Sequence, residues 1–158
     1  MADAVPPGFP PNADLVALFN GHLGGFERAM GLVFTRITQD ELVAELAVGP
    51  HVTQPYGLVH GGVYASIVET LGSAGAAIHA MARGKTSVGL ENTTSFVRAV
   101  RSGTLVATAF PIHRGRASQV WQVDVRDDAG KLAATGRLRT MSLDQGAAVA
   151  GETVRVKT

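Results

Sequence analysis

The sequence predicts an α+β domain in which an antiparallel sheet of five to six strands wraps around one long central helix. Three observations predict it. The stretch Val63 to Met81 is apolar nearly all round, so as a helix it must be enclosed rather than laid on a surface. Strand-like runs stand on both sides of it, two before and four after. The late connections read as tight turns, at Arg114-Gly115-Arg116 and at Asp127-Asp128-Ala129-Gly130. One enclosed helix flanked by strands buries its surface best against a single wrapped sheet.

The elements follow in order. Residues 1–11 carry Pro6, Pro7, Pro10 and Pro11 and read as a flexible arm. Asn12 or Asp14 can cap a short helix through about Asn20, ended by Gly21. Gly24 and Gly25 read as a connection. Met30 to Thr38 and Glu41 to Val48 read as strands turning at Gln39-Asp40, the second with Leu42, Ala44, Leu46 and Val48 on one face. Pro50 to Val59 is a loop. His60-Gly61-Gly62 opens the long helix, which runs to about Ala82. Thr86 to Phe96, Thr104 to His113, Ala117 to Arg126 and Leu132 to Leu143 then form an antiparallel meander. The domain thus spans 12–143, and 144–158 reads as a flexible tail.

Composition bounds the function. The 158 residues suit one domain with a core, and 46% apolar against 17% charged residues make it globular. The net charge of +1 and the absence of a basic run with aromatics argue against nucleic acid as a partner. There is no cysteine, hence no disulfide scaffold, thiolate metal site or cysteine nucleophile, and a cytoplasmic location is expected. Met1 to Pro11 lacks the basic and apolar regions of a signal peptide. Val63 to Met81 is long enough to suggest a membrane span, but Glu69 near its middle makes a buried helix the better reading.

Glu69 is the exception in this helix. No lysine or arginine stands three or four residues away, although a surface glutamate usually has such neighbours. A carboxylate in an apolar helix is costly and points to function or to a shifted pKa. Gly72 and Gly75 are also unusual, since each interior glycine costs about 1 kcal/mol relative to alanine. Close packing of helix on sheet explains them, and so does close approach of a ligand.

The run Gly57-Leu58-Val59-His60-Gly61-Gly62, with Glu69 nine positions after the histidine, resembles the motif of hotdog-fold thioesterases of the PaaI-like group. The glutamate, and Gln54 six before His60, are most similar to the Arthrobacter-type 4-hydroxybenzoyl-CoA thioesterases. Thr93-Thr94-Ser95-Phe96-Val97-Arg98 resembles the family's strand ending, with Ala99 where the family has proline. The resemblance covers roughly residues 30 to 142 and implies a hotdog fold and hydrolysis of an acyl-CoA to free acid and CoA.

The resemblance also implies roles. Gly61 N–H, at the positive end of the helix, is the expected oxyanion donor. Glu69 is the expected nucleophile or general base. Gln54 orients the carbonyl or a water, and His60 either polarises it or braces the helix start. Ser73, one turn after Glu69, can hydrogen-bond the carboxylate. Tyr64, Gly62, Arg98 and Arg116 are expected to bind substrate, with Arg101 and Arg114 as further candidates for the CoA phosphates. Tyr64, Ala65, Val68 and Gly72 are expected to form the acyl pocket, and Tyr64 and Phe96 can stack on an aromatic acyl group. Eight residues separate Gly61 from Glu69, about 12 Å along a helix, too far to flank one reacting carbon. Gly61 of one subunit is therefore expected to face Glu69 of another, in a dimer or a dimer of dimers.

No cofactor is expected, because CoA belongs to the substrate. His22, His51, His60, His79 and His113 lack metal-ligand spacing. No Gly-x-Ser-x-Gly elbow exists for a serine hydrolase, and no Asp/His pair stands in the context of a hotdog hydratase. The rival from another class is a non-catalytic acyl-CoA-binding or regulatory module.

Overall fold

Asp14 opens the first helix. A computed structural model describes residues 5–154, and in it the Asp14 side chain accepts from Ala17 N–H at 3.0 Å to cap α1, Leu15–Gly21. The glycine-rich connection contains a second helix, α2, Gly25–Met30. Six residues led by glycine give no readable periodicity. Burial of Met30 holds it, and Gly31 at φ 73° ends it in the left-handed region.

Strands β1, Leu32–Ile37, and β2, Leu42–Ala47, form an antiparallel pair, with Leu42, Ala44 and Leu46 buried as their alternation requires. A short 3₁₀ turn at Pro50–Val52 and a loop lead into the long helix α3, Gly61–Met81. Then follow β3, Lys85–Phe96, β4, Thr104–Arg114, β5, Ser118–Arg126, and β6, Leu132–Asp144. The order in the sheet is β1-β2-β4-β5-β6-β3, all pairs antiparallel.

This order corrects the expected four-strand meander. Only β4, β5 and β6 form one. The chain leaves β3 at Val97, whose N–H reaches Ala133 O at 2.8 Å, passes the start of α3, where Val59 N–H reaches Val100 O at 2.9 Å, and enters β4 beside β2. Strand β3 becomes an edge paired only with β6. Such a non-local pairing leaves no local signal, because β3 carries no turn back toward β4.

The core lies between α3 and the sheet. Ile67, Val68, Leu71 and Ile78 meet Leu105, Trp121, Val123 and Leu138, all with at most 1% exposure. The helix glycines serve this packing. A Cβ on Gly75 would lie 2.6 Å from the Trp121 ring, and one on Gly72 would lie 2.8 Å from Leu138. Val68 packs against Gly136 in the same way. Val68 and Gly72, expected in the acyl pocket, therefore stand buried in the helix–sheet seam. Buried Gln119 ties the two layers, donating to Ala76 O at 3.0 Å and accepting from Trp121 Nε1 at 3.1 Å.

The described part of the N-terminal arm is packed. Pro6 is buried, Gly8 abuts the Met81 backbone, and the Phe9 ring lies 6.4 Å from that of Phe19. Residues 1–4 and 155–158 lie outside the described residues. In the expected tail, Asp144 ends β6 and pairs with Lys85 at 2.6 Å, and β7, Ala148–Val149, with β8, Glu152–Thr153, forms a small hairpin. No helix among the described residues is long and apolar enough to cross a membrane.

Candidate active site

The start of α3 is built by His60. Its backbone is extended, and its Nδ1 accepts from Gly62 N–H at 2.9 Å. The ring thus braces the helix start, and with Nδ1 accepting, a neutral ring carries its proton on Nε2. Gly61 N–H has no acceptor among the described residues, so a donor at the positive end of a 21-residue helix stays open. The Phe96 ring lies directly against Gly61: a Cβ there would come within 2.7 Å of it. Phe96 is 61% exposed.

The loop before the helix presents Gln54. Its Oε1 accepts from Tyr56 N–H at 2.7 Å, and its main chain closes a turn through Gly57 at φ 71°. The amide NH₂ is left without an acceptor among the described residues. Arg101 holds this loop by donating to Tyr56 O at 2.7 Å, which occupies a side chain expected as a phosphate ligand.

Glu69 is half-buried two turns further along α3, on the side facing β3. Its Oε2 accepts from Asn92 Nδ2 at 3.0 Å, and its Oε1 accepts from Ser73 Oγ at 3.4 Å. Asn92 Nδ2 also donates to Ala65 O at 3.0 Å, and Thr94 Oγ1 donates to Asn92 Oδ1 at 2.7 Å. No cation among the described residues pairs with Glu69. Gly89 lies beneath the carboxylate, where a Cβ would be 2.6 Å from Oε1. Sequence reasoning missed Asn92 and Gly89. Only the sheet pairing brings them to Glu69.

Two clefts of about 360 Å³ each run along the outer side of α3. One surrounds the helix start and is lined by Phe26, His51, Thr53, His60, Gly62 and Ser66. The other lies between α1, α2 and the second half of α3, with Leu18, Phe34, Glu27, Thr70, Ala74 and Ala77 among its walls. Thr70, Ala74 and Ala77 form one helix stripe, next to the stripe of Glu69 and Ser73. No His, Asp or Glu side chains among the described residues form a group of three that could hold a metal ion.

Other expected residues fall elsewhere. Tyr64 is only 3% exposed, its ring 6.0 Å from that of Phe96, so it supports the exposed ring instead of lining the surface. Its hydroxyl is buried without a partner among the described residues, and burial, with Asp127 second, pushes its pKa up. Arg98 is exposed where β3 ends, at the Gly61 end of the molecule. Arg116 does not join it. The β4–β5 turn that carries it is tied through Gly115 O to Arg83, just beyond the far end of α3, roughly 30 Å from Gly61 by helix length. Arg114 pairs there with Asp40 at 2.7 Å. His79 contacts Arg83 in the same region, and burial first, then Arg83 and Arg114, lower its pKa against the opposing pull of Asp40.

A six-stranded antiparallel sheet around one helix, with an open N–H at the helix start and a carboxylate two turns on, is the arrangement expected of a thioester hydrolase of the hotdog class. Comparison with known proteins agrees. The thioesterase superfamily profile matches residues 56–134. A Mycobacterium tuberculosis protein named as an esterase, Rv1847, is 40% identical over 121 residues, covering 75% of this chain and 86% of that protein. The proofreading thioesterase EntH of Cronobacter sakazakii is 38% identical over 129 residues, covering 82% and 93%. A structure of Rv1847 superposes with a TM-score of 0.75 at 39% identity, over 77% of this chain and 98% of that one. Thioesterase PA1618 of Pseudomonas aeruginosa, solved as a glutamine-to-alanine variant, gives 0.77 at 30%, over 84% and 95%. The chain belongs to the thioesterase superfamily.

Proposed function

We propose that this chain hydrolyses acyl-CoA thioesters with Glu69 as the reacting carboxylate and Gly61 N–H as the oxyanion donor, the two supplied by different subunits. The observation that carries this reading is the pair of unspent groups on α3. Among the described residues, Glu69 has neutral hydrogen-bond donors but no cation, and Gly61 N–H has no acceptor. They are about 12 Å apart along one helix, so a second copy must close the site. The exposed edge strand β3, which carries the Asn92 contact to Glu69, is where that copy fits.

The thioester carbonyl oxygen then points at Gly61 N–H of one subunit. Glu69 of the other either attacks the carbon, giving an anhydride and free CoA thiolate, or takes a proton from an attacking water. Both routes use the same geometry. The free amide NH₂ of Gln54 and the outward Nε2–H of His60 are suited to hold the carbonyl or water. Arg98 is the arginine suited to the CoA phosphates. The pair of Gln54 and Glu69 supports a relation to Arthrobacter-type enzymes and an aryl-CoA substrate, and Ser73 supplies a hydroxyl one turn after the carboxylate. The apolar cleft beside Thr70, Ala74 and Ala77 supports an acyl group of ring or medium-chain size. A cytoplasmic dimer of dimers, free of cofactors, is the assembly assigned.

The test is release of free thiol from benzoyl, 4-hydroxybenzoyl, phenylacetyl, hexanoyl and palmitoyl CoA, by wild type and Glu69→Gln. Wild type is expected to cleave at least one rapidly, and the variant to lose a factor of roughly 10³ or more. Thioesters bound but cleaved no faster than in buffer would return the chain to the binding-module reading.

A further inference from the structure

Strand β3 changes phase in its middle. Gly89 pairs with Thr140 and Glu91 with Arg139, so Leu90 is an extra residue without a partner in β6. Before this bulge, Gly89 faces α3. After it, a regular strand would have turned Glu91 and Thr93 toward the helix. Instead Asn92, Thr94 and Phe96 stand opposite Leu138, Gly136 and Ala134, all buried against α3. One inserted residue therefore puts Asn92 on Glu69 and Phe96 on Gly61.

We propose that the bulge at Leu90 makes Asn92 a positioning residue for Glu69, its amide fixing one carboxylate oxygen so that the other is presented to the thioester. The inference rests on the reading of Glu69 as the reacting carboxylate. The orientation of the Asn92 amide is set from both sides. Its NH₂ meets two acceptors, Ala65 O and Glu69 Oε2, each at 3.0 Å, while its Oδ1 takes the Thr94 hydroxyl at 2.7 Å. A flipped amide would lose all three. The shared donor also ties the carboxylate to the α3 backbone. Glu69 Oε1 keeps only the long contact to Ser73 and lies over Gly89, where no side chain blocks it. Asn92 thus holds the carboxylate through a neutral donor, with no salt bridge to it among the described residues, and a salt bridge would lower its nucleophilicity.

The experiment uses the full-length protein with a cleaved acyl-CoA, measuring kcat, KM and the pH profile of kcat. The variants are Asn92→Asp, Asn92→Ala and Thr94→Val, with Glu69→Gln as reference. Asn92→Asp keeps the shape but replaces the donor by a like charge. It is expected to lower kcat about tenfold or more, to leave KM within about twofold, and to move the acidic limb of kcat upward by roughly one pH unit. Asn92→Ala shifts both in the same direction, and so does Thr94→Val, more weakly, without touching Glu69. A merely structural Asn92 would tolerate its isostere without moving that limb. The proposal is overturned when Asn92→Asp and Asn92→Ala match wild type in kcat and pH profile while Glu69→Gln is inactive. An active Glu69→Gln overturns the assignment of Glu69 itself, and this inference with it.

Discussion

At the scale of single residues, the site depends on what a position lacks as much as on what it carries. Gly61 offers an open N–H and leaves room for the Phe96 ring. The two properties can be separated. Gly61 is the first residue of α3, a position that tolerates proline because its N–H has no helical acceptor. His60 is already extended, as a residue before proline must be. Gly61→Pro therefore deletes the donor while keeping the helix, with the exposed Phe96 ring free to shift. A fall in kcat of about 10² to 10³ is expected, with unchanged helix content by circular dichroism. Near wild-type kcat in a folded variant would remove Gly61 from the mechanism. The helix start at His60-Gly61 and the contact of Ser73 with Glu69 were legible in the sequence, because an isolated carboxylate in an apolar helix and a histidine-glycine start are local features. The contact of Asn92 with Glu69 was not, because it depends on a bulge and on pairing with β6.

At the scale of elements, the long helix and the extents of the strands follow from periodicity and turn residues, while placement follows from contacts the sequence does not display. Helix α2 leaves no periodic signal in the sequence because its stability comes from Met30 in the core. The edge position of β3 escaped because seven residues, 97–103, carry the chain across the end of the sheet. Val68 and Gly72, expected in the acyl pocket, lie about half a helix turn from the stripe that lines the cleft. Those residues meet the sheet, and the stripe of Thr70, Ala74 and Ala77 meets the cleft below α1 and α2. This placement predicts selectivity. Ala77 is half-buried on the cleft wall, so Ala77→Phe fills the cleft without entering the core. Aryl and medium-chain thioesters are expected to lose about tenfold or more in kcat/KM, with acetyl-CoA or propionyl-CoA cleavage little changed. Equal loss for all acyl groups, measured by thiol release, would place the acyl group elsewhere.

At the scale of the whole molecule, the proposed site needs two groups that a single chain holds too far apart to bring together. The spacing of Gly61 and Glu69 on a rigid helix is a fixed distance, not a matter of side-chain rotamers. If two copies pair through β3 about a two-fold axis, each dimer has two sites, each taking Gly61 from one subunit and Glu69 from the other. This makes a prediction about mixtures. Gly61→Pro and Glu69→Gln homodimers each lack one group at every site. In a mixed dimer, the Glu69→Gln subunit supplies an intact Gly61 and the Gly61→Pro subunit an intact Glu69. One of its two sites is then wild type and the other lacks both groups. Random reassociation makes about half the dimers mixed, so activity is expected to return to about a quarter of wild type per subunit. The two inactive variants would be unfolded together in denaturant, refolded by dilution and assayed for thiol release, with each variant refolded alone as control. Recovery that requires co-refolding places the groups on opposite subunits. Its absence, with mixed dimers confirmed by mass spectrometry, would mean that Glu69 meets the helix start of its own chain, which the length of α3 between them does not allow without a break in the helix.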